Sequence, residues 1–163
     1  MENCKPVSTP IATKTAKSGI ASVEFSNPQL YRQLVGSLQY LTLTRPEISY
    51  AVNKACQHMH QPSNQNFEDL KCILRYIQGS LNIGLPLYRD YLNLTSYVDA
   101  DWAGDQTDSK STTGYCNFLG NTVISWCVKK QATIARSSTE AEYRALASAG
   151  TDIIWTRQLL QEL

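Results

Sequence analysis

The chain has 163 residues, 42% of them hydrophobic and 18% charged, with a formal net charge of +1. That is enough apolar material for one domain or two small ones, and it excludes a disordered tail. It also lacks the basic excess of a free-standing nucleic-acid-binding domain. The balance is uneven: 9 basic and 6 acidic residues up to Asp90 give +3, and 6 basic and 8 acidic after it give −2. Cys4, Cys56, Cys72, Cys116 and Cys127 are odd in number and form no CxxC pair, which reads as thiols in a reducing compartment. No stretch approaches the roughly 18 to 20 apolar residues of a membrane span. Glu2, Asn3 and Lys5 after Met1 do not make a secretory signal. The expectation is an intracellular chain, in cytoplasm or nucleus and off the membrane, with Asn93-Leu94-Thr95 a chance sequon.

Residues 1–25 carry Pro6, Pro10, Gly19 and several Ser and Thr with little periodicity, and read as an extended linker. Asn27-Pro28 then opens a helix, with Leu30, Leu34, Leu38 and Leu41 at helical spacing. Arg45-Pro46-Glu47 opens a second, with Ile48, Val52, Cys56 and Met59 on one face. A third runs from Asn64 to Gln78, with Phe67, Leu70, Ile73, Leu74 and Ile77 inward and Gly79 as the stop. Three amphipathic helices with short joins predict a helical subdomain over 26–80.

Beyond residue 80 the period changes. Ile83 to Tyr88 and Leu92 to Asp101 read as strands joined by a turn at Arg89-Asp90, with Leu92, Leu94, Ser96, Val98 and Ala100 on one side of the second. Gly114 to Leu119 and Thr122 to Val128 form a pair around Gly120-Asn121, a favourable two-residue hairpin turn. From Ser137 the pattern is helical to the end. The expected fold class is α/β in the α+β sense: a helical connector followed by an antiparallel strand meander and a helix over 81–163.

Asp99, Asp101 and Asp105 cluster where a strand runs into a loop. A single Asp there is ordinary turn chemistry. Three within seven residues ask for more. Asp99 lies between Val98 and Ala100, so the pleat projects it to the face opposite those neighbours, toward solvent or a site. On the last helix Ser137 and Glu140 have capping-box spacing, which commits Glu140 to the helix's own amides. Glu142 remains. It borders a stripe through Ala145, Leu146, Ala149 and Ile153, and either an exposed ion pair or a divalent cation shared with Asp99 would satisfy it. Asp152 is a poor third ligand, ten residues or roughly 15 Å along the helix.

The strings Tyr97-Val98-Asp99-Ala100-Asp101-Trp102-Ala103-Gly104-Asp105, Ser111-Thr112-Thr113-Gly114-Tyr115-Cys116, Ile124-Ser125-Trp126-Cys127 and Arg136-Ser137-Ser138-Thr139-Glu140-Ala141-Glu142-Tyr143-Arg144-Ala145-Leu146 resemble the ribonuclease H region of copia-type LTR retrotransposon Pol polyproteins. Upstream, Asn3-Cys4-Lys5-Pro6-Val7, Tyr31-Arg32-Gln33-Leu34-Val35-Gly36-Ser37-Leu38-Gln39-Tyr40-Leu41, Thr44-Arg45-Pro46-Glu47-Ile48 and Leu74-Arg75-Tyr76-Ile77-Gln78-Gly79 resemble the segment joining reverse transcriptase to that region.

The resemblance implies a reverse transcriptase thumb or connector over 26–80 and the N-terminal half of a ribonuclease H-like domain over 81–163. It implies cleavage of the RNA strand of an RNA/DNA hybrid with two Mg2+ ions, Asp99 and Glu142 being catalytic and metal-binding. The rest of the Pol polyprotein is the implied partner. The family's later carboxylates lie beyond Leu163 and the polymerase aspartates before Met1, so weak Mg2+ binding and little or no cleavage are expected. The alternative is a non-catalytic remnant that binds nucleic acid or polyprotein.

Lys129, Lys130, Arg136 and Arg144 stand where family members would meet the hybrid's phosphates, and a solvated face explains them equally. His58 and His60 point about 200° apart on a helix and do not suit one metal. Trp102, Trp126 and Trp155 read as core rather than as base-stacking platforms.

Overall fold

A computed structural model describes residues 4–11, 23–89, 91–105 and 107–162. The chain divides into two units, Met1–Gly84 and Leu85–Leu163.

In the first unit the helix starts follow the capping chemistry. Asn27 accepts the Leu30 amide at 3.0 Å and Pro28 takes the first position of α1 (Pro28–Leu41). Arg45-Pro46-Glu47 opens a short 3-10 turn, Pro46–Ile48, before α2 (Ser49–Cys56), so the second helix is shorter than its apolar spacing suggests. His58 and His60 lie beyond it, in the turns that follow. Ser63 and Asn66 form a reciprocal capping box on α3 (Asn64–Gly79).

Tyr31, Val35, Leu38, Ile48, Val52, Leu70 and Ile73 form the buried centre, flanked by Phe67, Leu74 and Ile77. Two polar groups enter it with partners. Tyr31 donates its hydroxyl to the Ala55 carbonyl at 2.9 Å, and burial pushes its pKa up to about 12. Arg45, 6% exposed, donates to the Ser80 carbonyl at 3.1 Å, to Ser80 Oγ at 2.7 Å and to Glu47 at 2.5 Å, tying the end of α1 to the end of α3.

Residues 1–3 and 12–22 of the expected linker lie outside the described residues. Residues 4–11 run along α3 without regular structure. Arg75 Nε donates to the Lys5 carbonyl at 2.7 Å, Cys72 Sγ contacts the Thr9 carbonyl at 3.7 Å, and Pro6 lies where any side chain at Gly79 would collide with it.

The expected strand from Ile83 to Tyr88 does not form. Pro86 has no N–H to give a ladder, and the Tyr88 amide goes instead to Thr122 Oγ1 at 2.9 Å. Asp90, in the expected turn, lies outside the described residues. The meander consists of β1 (Leu94–Asp101), β2 (Thr112–Leu119) and β3 (Thr122–Lys130), antiparallel in the order β1-β2-β3. Gly120, at φ 58°, makes the β2–β3 turn. Along β1, Leu94, Ser96, Val98 and Ala100 are half-buried, while Thr95, Tyr97, Asp99 and Asp101 face out.

The helix α4 (Ser138–Glu162) covers the half-buried face through Ala141, Ala145 and Ala149, each no more than 1% exposed. Tyr143, Leu146, Ile154 and Trp155 stay largely exposed, so the seam is narrower and smaller-sided than the expected apolar stripe. Polar anchors set its register. Asn117 Nδ2 and Ser125 Oγ both donate to Asp152 Oδ2, at 2.6 and 2.7 Å, and Gln131 Nε2 donates to the Ala141 carbonyl at 3.0 Å. The whole chain is mixed α/β, a helical unit followed by the strand meander and helix of a partial ribonuclease H-like fold.

Two stability outcomes follow. Arg45→Ala leaves Ser80 without its donor and lowers the unfolding free energy of the first unit by about 2 kcal/mol, read by urea titration. Asp152→Ala strands Asn117 and Ser125 in the α4 seam and costs the second unit about 1 to 3 kcal/mol, whereas Ile154→Ala, on the exposed side, changes it by less than about 0.5 kcal/mol.

Candidate functional site

Asp99 sits opposite Gly114 on β2, on the sheet face turned away from α4. Three facts fix that face. Asn117 and Thr113, on β2, bond to Asp152 of α4 and to Gln131, so odd positions of β2 face the helix. The register places Asn117 opposite Ser96, Tyr115 opposite Val98 and Thr113 opposite Ala100. Strand alternation then sends Tyr97, Asp99 and Asp101 to the other side.

Glu142 is exposed on α4 and lines a cavity of about 390 Å3 with Val98, Ser138, Thr139, Tyr143 and Leu146. Val98 belongs to the helix-facing side. Asp99, on the opposite face of β1, does not line that cavity. Among the described residues no group of three or more His, Cys, Asp or Glu side chains converges to hold a metal ion.

The remaining aspartates of the cluster have other partners. Lys130, opposite Thr112 and so on the same face as Asp101, binds the Asp105 carboxylate and reaches Asp108 Oδ1 at 2.9 Å. Asp105 also accepts the Thr107 amide at 2.8 Å and its hydroxyl at 2.5 Å. The Lys130 hydrogen bond, with those from Thr107, holds the Asp105 carboxyl well below the usual carboxylate range. Lys130 likewise lowers the pKa of Asp108. This clasp closes the β1–β2 loop, in which Ala103 and Ser109 take left-handed φ values of 51° and 53°. A Cβ at Gly104 would overlap the Asp101 carboxylate, so glycine there lets the loop fold tightly on the strand end.

Glu140 is engaged at the start of α4 as its spacing predicts, but its carboxylate takes the amide one residue before the Ser137 cap. Ser137 Oγ accepts the Glu140 amide at 3.1 Å, and the Glu140 carboxylate accepts the Arg136 amide at 2.8 Å. That amide, with Arg144 and Arg136, lowers the pKa of Glu140. Arg144 pairs with Glu140 at 2.5 Å and donates to the Thr133 carbonyl at 2.9 Å. Of the four basic candidates, Lys130 and Arg144 thus hold loops in place, while Lys129 and Arg136 are exposed.

Sequence reasoning did not find the Asn117–Ser125–Asp152 group, although an asparagine inside a strand is a signal of something to be satisfied. Tyr115, beside this group, has its pKa pushed up to about 12 by burial and by Cys127 and Asp152. Nor did it find that Trp102 and Trp155 are 50% and 61% exposed. Trp155 points away from the alanine seam. The Trp102 ring is held outside the core by its Nε1, which donates to the Ala135 carbonyl at 3.1 Å.

The clasp is pH-sensitive with a definite sign. A carboxyl held below its unfolded value of about 3.9 contributes stability above that pH and loses it as pH falls through the folded value. The second unit should therefore lose stability progressively below about pH 4. Lys130→Met should reduce that acid dependence and cost about 1 kcal/mol at neutral pH, as measured by denaturation at pH 7 and pH 3.

No protein-family model matches the chain, and no solved structure matches it. Curated proteins do. An uncharacterized mitochondrial protein of Arabidopsis thaliana is 48% identical over 157 residues, covering 96% of this chain and 65% of its own length. The retrovirus-related Pol polyprotein from transposon RE1 of the same plant is 48% identical over an alignment of 164 positions, which takes in the whole chain and 11% of the polyprotein. The corresponding polyprotein from transposon TNT 1-94 of Nicotiana tabacum is 38% identical across the whole chain and 13% of its own length. The chain thus spans about two thirds of the mitochondrial relative and about a tenth of the polyproteins. It belongs to the copia-type retrovirus-related Pol polyproteins.

Proposed function

We propose that this chain is a nucleic-acid-facing segment of a retrotransposon Pol polyprotein, whose second unit contributes Asp99 and Glu142 to a ribonuclease H-type site acting on the RNA strand of RNA/DNA hybrids. One observation carries the reading: a β1-β2-β3 antiparallel meander, followed by a helix, leaves one carboxylate at the end of the first strand and one near the start of the helix, both open to solvent.

The residues present do not by themselves fit a pair of Mg2+ ions. Asp105 and Asp108 are held by Lys130, Asp152 is engaged by Asn117 and Ser125, and among the described residues no third carboxylate joins Asp99 and Glu142. No step of cleavage is therefore assigned to this chain alone. Its own residues supply contact and placement: Lys129 and Arg136 offer exposed positive charge for phosphates, and the Glu140 cap fixes where α4 begins. Cutting would then depend on further carboxylates from the rest of the Pol polyprotein.

The test is a labelled RNA/DNA hybrid mixed with the purified chain, with and without Mg2+, beside Asp99→Asn and Glu142→Gln. The expected outcome is salt-dependent binding without measurable cleavage. Mg2+-dependent cleavage abolished in both variants would show a competent site within this chain and overturn the assignment of cutting to a larger assembly. Absence of salt-dependent binding would overturn the nucleic-acid reading itself.

A further inference from the structure

We infer that α4 pairs with the α4 of a second copy of this chain, antiparallel and crossing at Gly150, through the face opposite its alanine seam. The inference stands on the exposed side of the helix and goes beyond the function proposed above.

A helix needs one apolar face to lie on a sheet, and α4 has two. Ala141, Ala145 and Ala149 make the first, against the strands. Ile154 comes nine residues after Ala145, which at about 100° per residue sets it diametrically opposite. On that far side Tyr143, Ala147, Gly150 and Ile154 follow one another at intervals of four, three and four residues, the spacing of a helix–helix seam. Leu146 borders them. Tyr143, Leu146 and Ile154 are 68%, 57% and 56% exposed, so the rest of the chain leaves this second face uncovered.

Gly150 marks the crossing. Glycine inside a helix costs backbone entropy, and nothing in this chain requires it: a Cβ there would meet no atom within 4 Å among the described residues. A missing side chain midway along an exposed seam lets a second helix axis approach closely.

The order of residues about Gly150 says what the second helix is. In an antiparallel pair with its two-fold axis at Gly150, residues equally far before and after it stand at the same level. Leu146 then meets Ile154 of the second copy, four residues to either side. Tyr143 meets Arg157 of the second copy, seven to either side, which sets a guanidinium on an aromatic ring. Glu142, beside Tyr143, offers the same guanidinium a carboxylate. Glu142 and Arg157 are both exposed, and neither has an ion pair among the described residues. Apolar side chains thus match apolar ones and each charge finds its opposite, twice by symmetry. A parallel pair would set Arg157 on Arg157. The seam from Tyr143 to Arg157 is only about 21 Å long. The sheet already holds α4 in shape, however, so pairing has no backbone to order. It also covers Glu142, so a paired chain cannot lend that carboxylate to the site proposed above.

The experiment is sedimentation of the full chain from about 1 to 200 μM at physiological salt. A reversible monomer–dimer equilibrium with Kd in the micromolar range is expected. Gly150→Leu, whose Cβ has room in the single chain, should hold or raise Tm and weaken dimerisation at least about tenfold. Arg157→Glu should also weaken it, and Arg157→Glu combined with Glu142→Arg should restore most of it, a rescue that only antiparallel pairing gives. A chain monomeric throughout that range would overturn the pairing and leave the stripe to a helix from elsewhere in the Pol polyprotein. Dimers indifferent to Gly150→Leu, or lost in Arg157→Glu and not recovered by the charge swap, would overturn the antiparallel α4 interface.

Discussion

The second unit depends on how α4 is registered on the sheet. Ala141, Ala145 and Ala149 let the helix approach closely, but methyl groups on a smooth seam do little to forbid sliding by a turn. Asp152 supplies the missing specificity. Its Oδ2 receives Asn117 from β2 and Ser125 from β3, so one carboxylate locks the helix to two strands. A shifted helix would leave Asn117, fully buried, with an unmet donor at the cost of a desolvated amide. The position of Glu142, ten residues earlier, is inherited from that lock. So is the start of α4, and with it the anchoring of the β3–α4 connection.

A second ordering element acts at the opposite face. Lys130 stands between Asp105 and Asp108 and offsets part of their charge where the loop folds back on the sheet. The clasp removes two aspartates from the set available to a metal and fixes the turn from which Trp102 projects. Asp99 and Asp101 remain exposed on that face. Dense acidity in the sequence thus resolves into structural carboxylates and open ones, a distinction set by Lys130, 25 residues from Asp105.

The parts of the fold legible in the sequence were those governed by local chemistry. Asn27-Pro28, Ser137 with Glu140, and Gly120-Asn121 each state their own geometry, and α1, α4 and the hairpin appear where those residues place them. The alternation of Leu94, Ser96, Val98 and Ala100 likewise gave the buried side of β1. The stretch from Ile83 to Tyr88 misled because its apolar residues satisfy a strand pattern while Pro86 and a side-chain bond from Thr122 prevent a ladder. The expected stripe on α4 was right for Ala145 and Ala149, which are buried, but not for Leu146, which stays 57% exposed. For the site, the types and approximate places of Asp99 and Glu142 were readable.

Besides the packing of Ile11 on the core, two bonds hold the segment from Cys4 to Ile11 through its main chain: Arg75 reads the Lys5 carbonyl and Cys72 the Thr9 carbonyl. Every residue type presents the same carbonyl. Lys5 and Thr9 are therefore free to drift over evolutionary time without loosening the strap, while the burden of keeping it falls on Arg75 and on Gly79, whose bare Cα is what admits Pro6. Selection on this contact should be visible in α3 rather than in the segment that α3 holds.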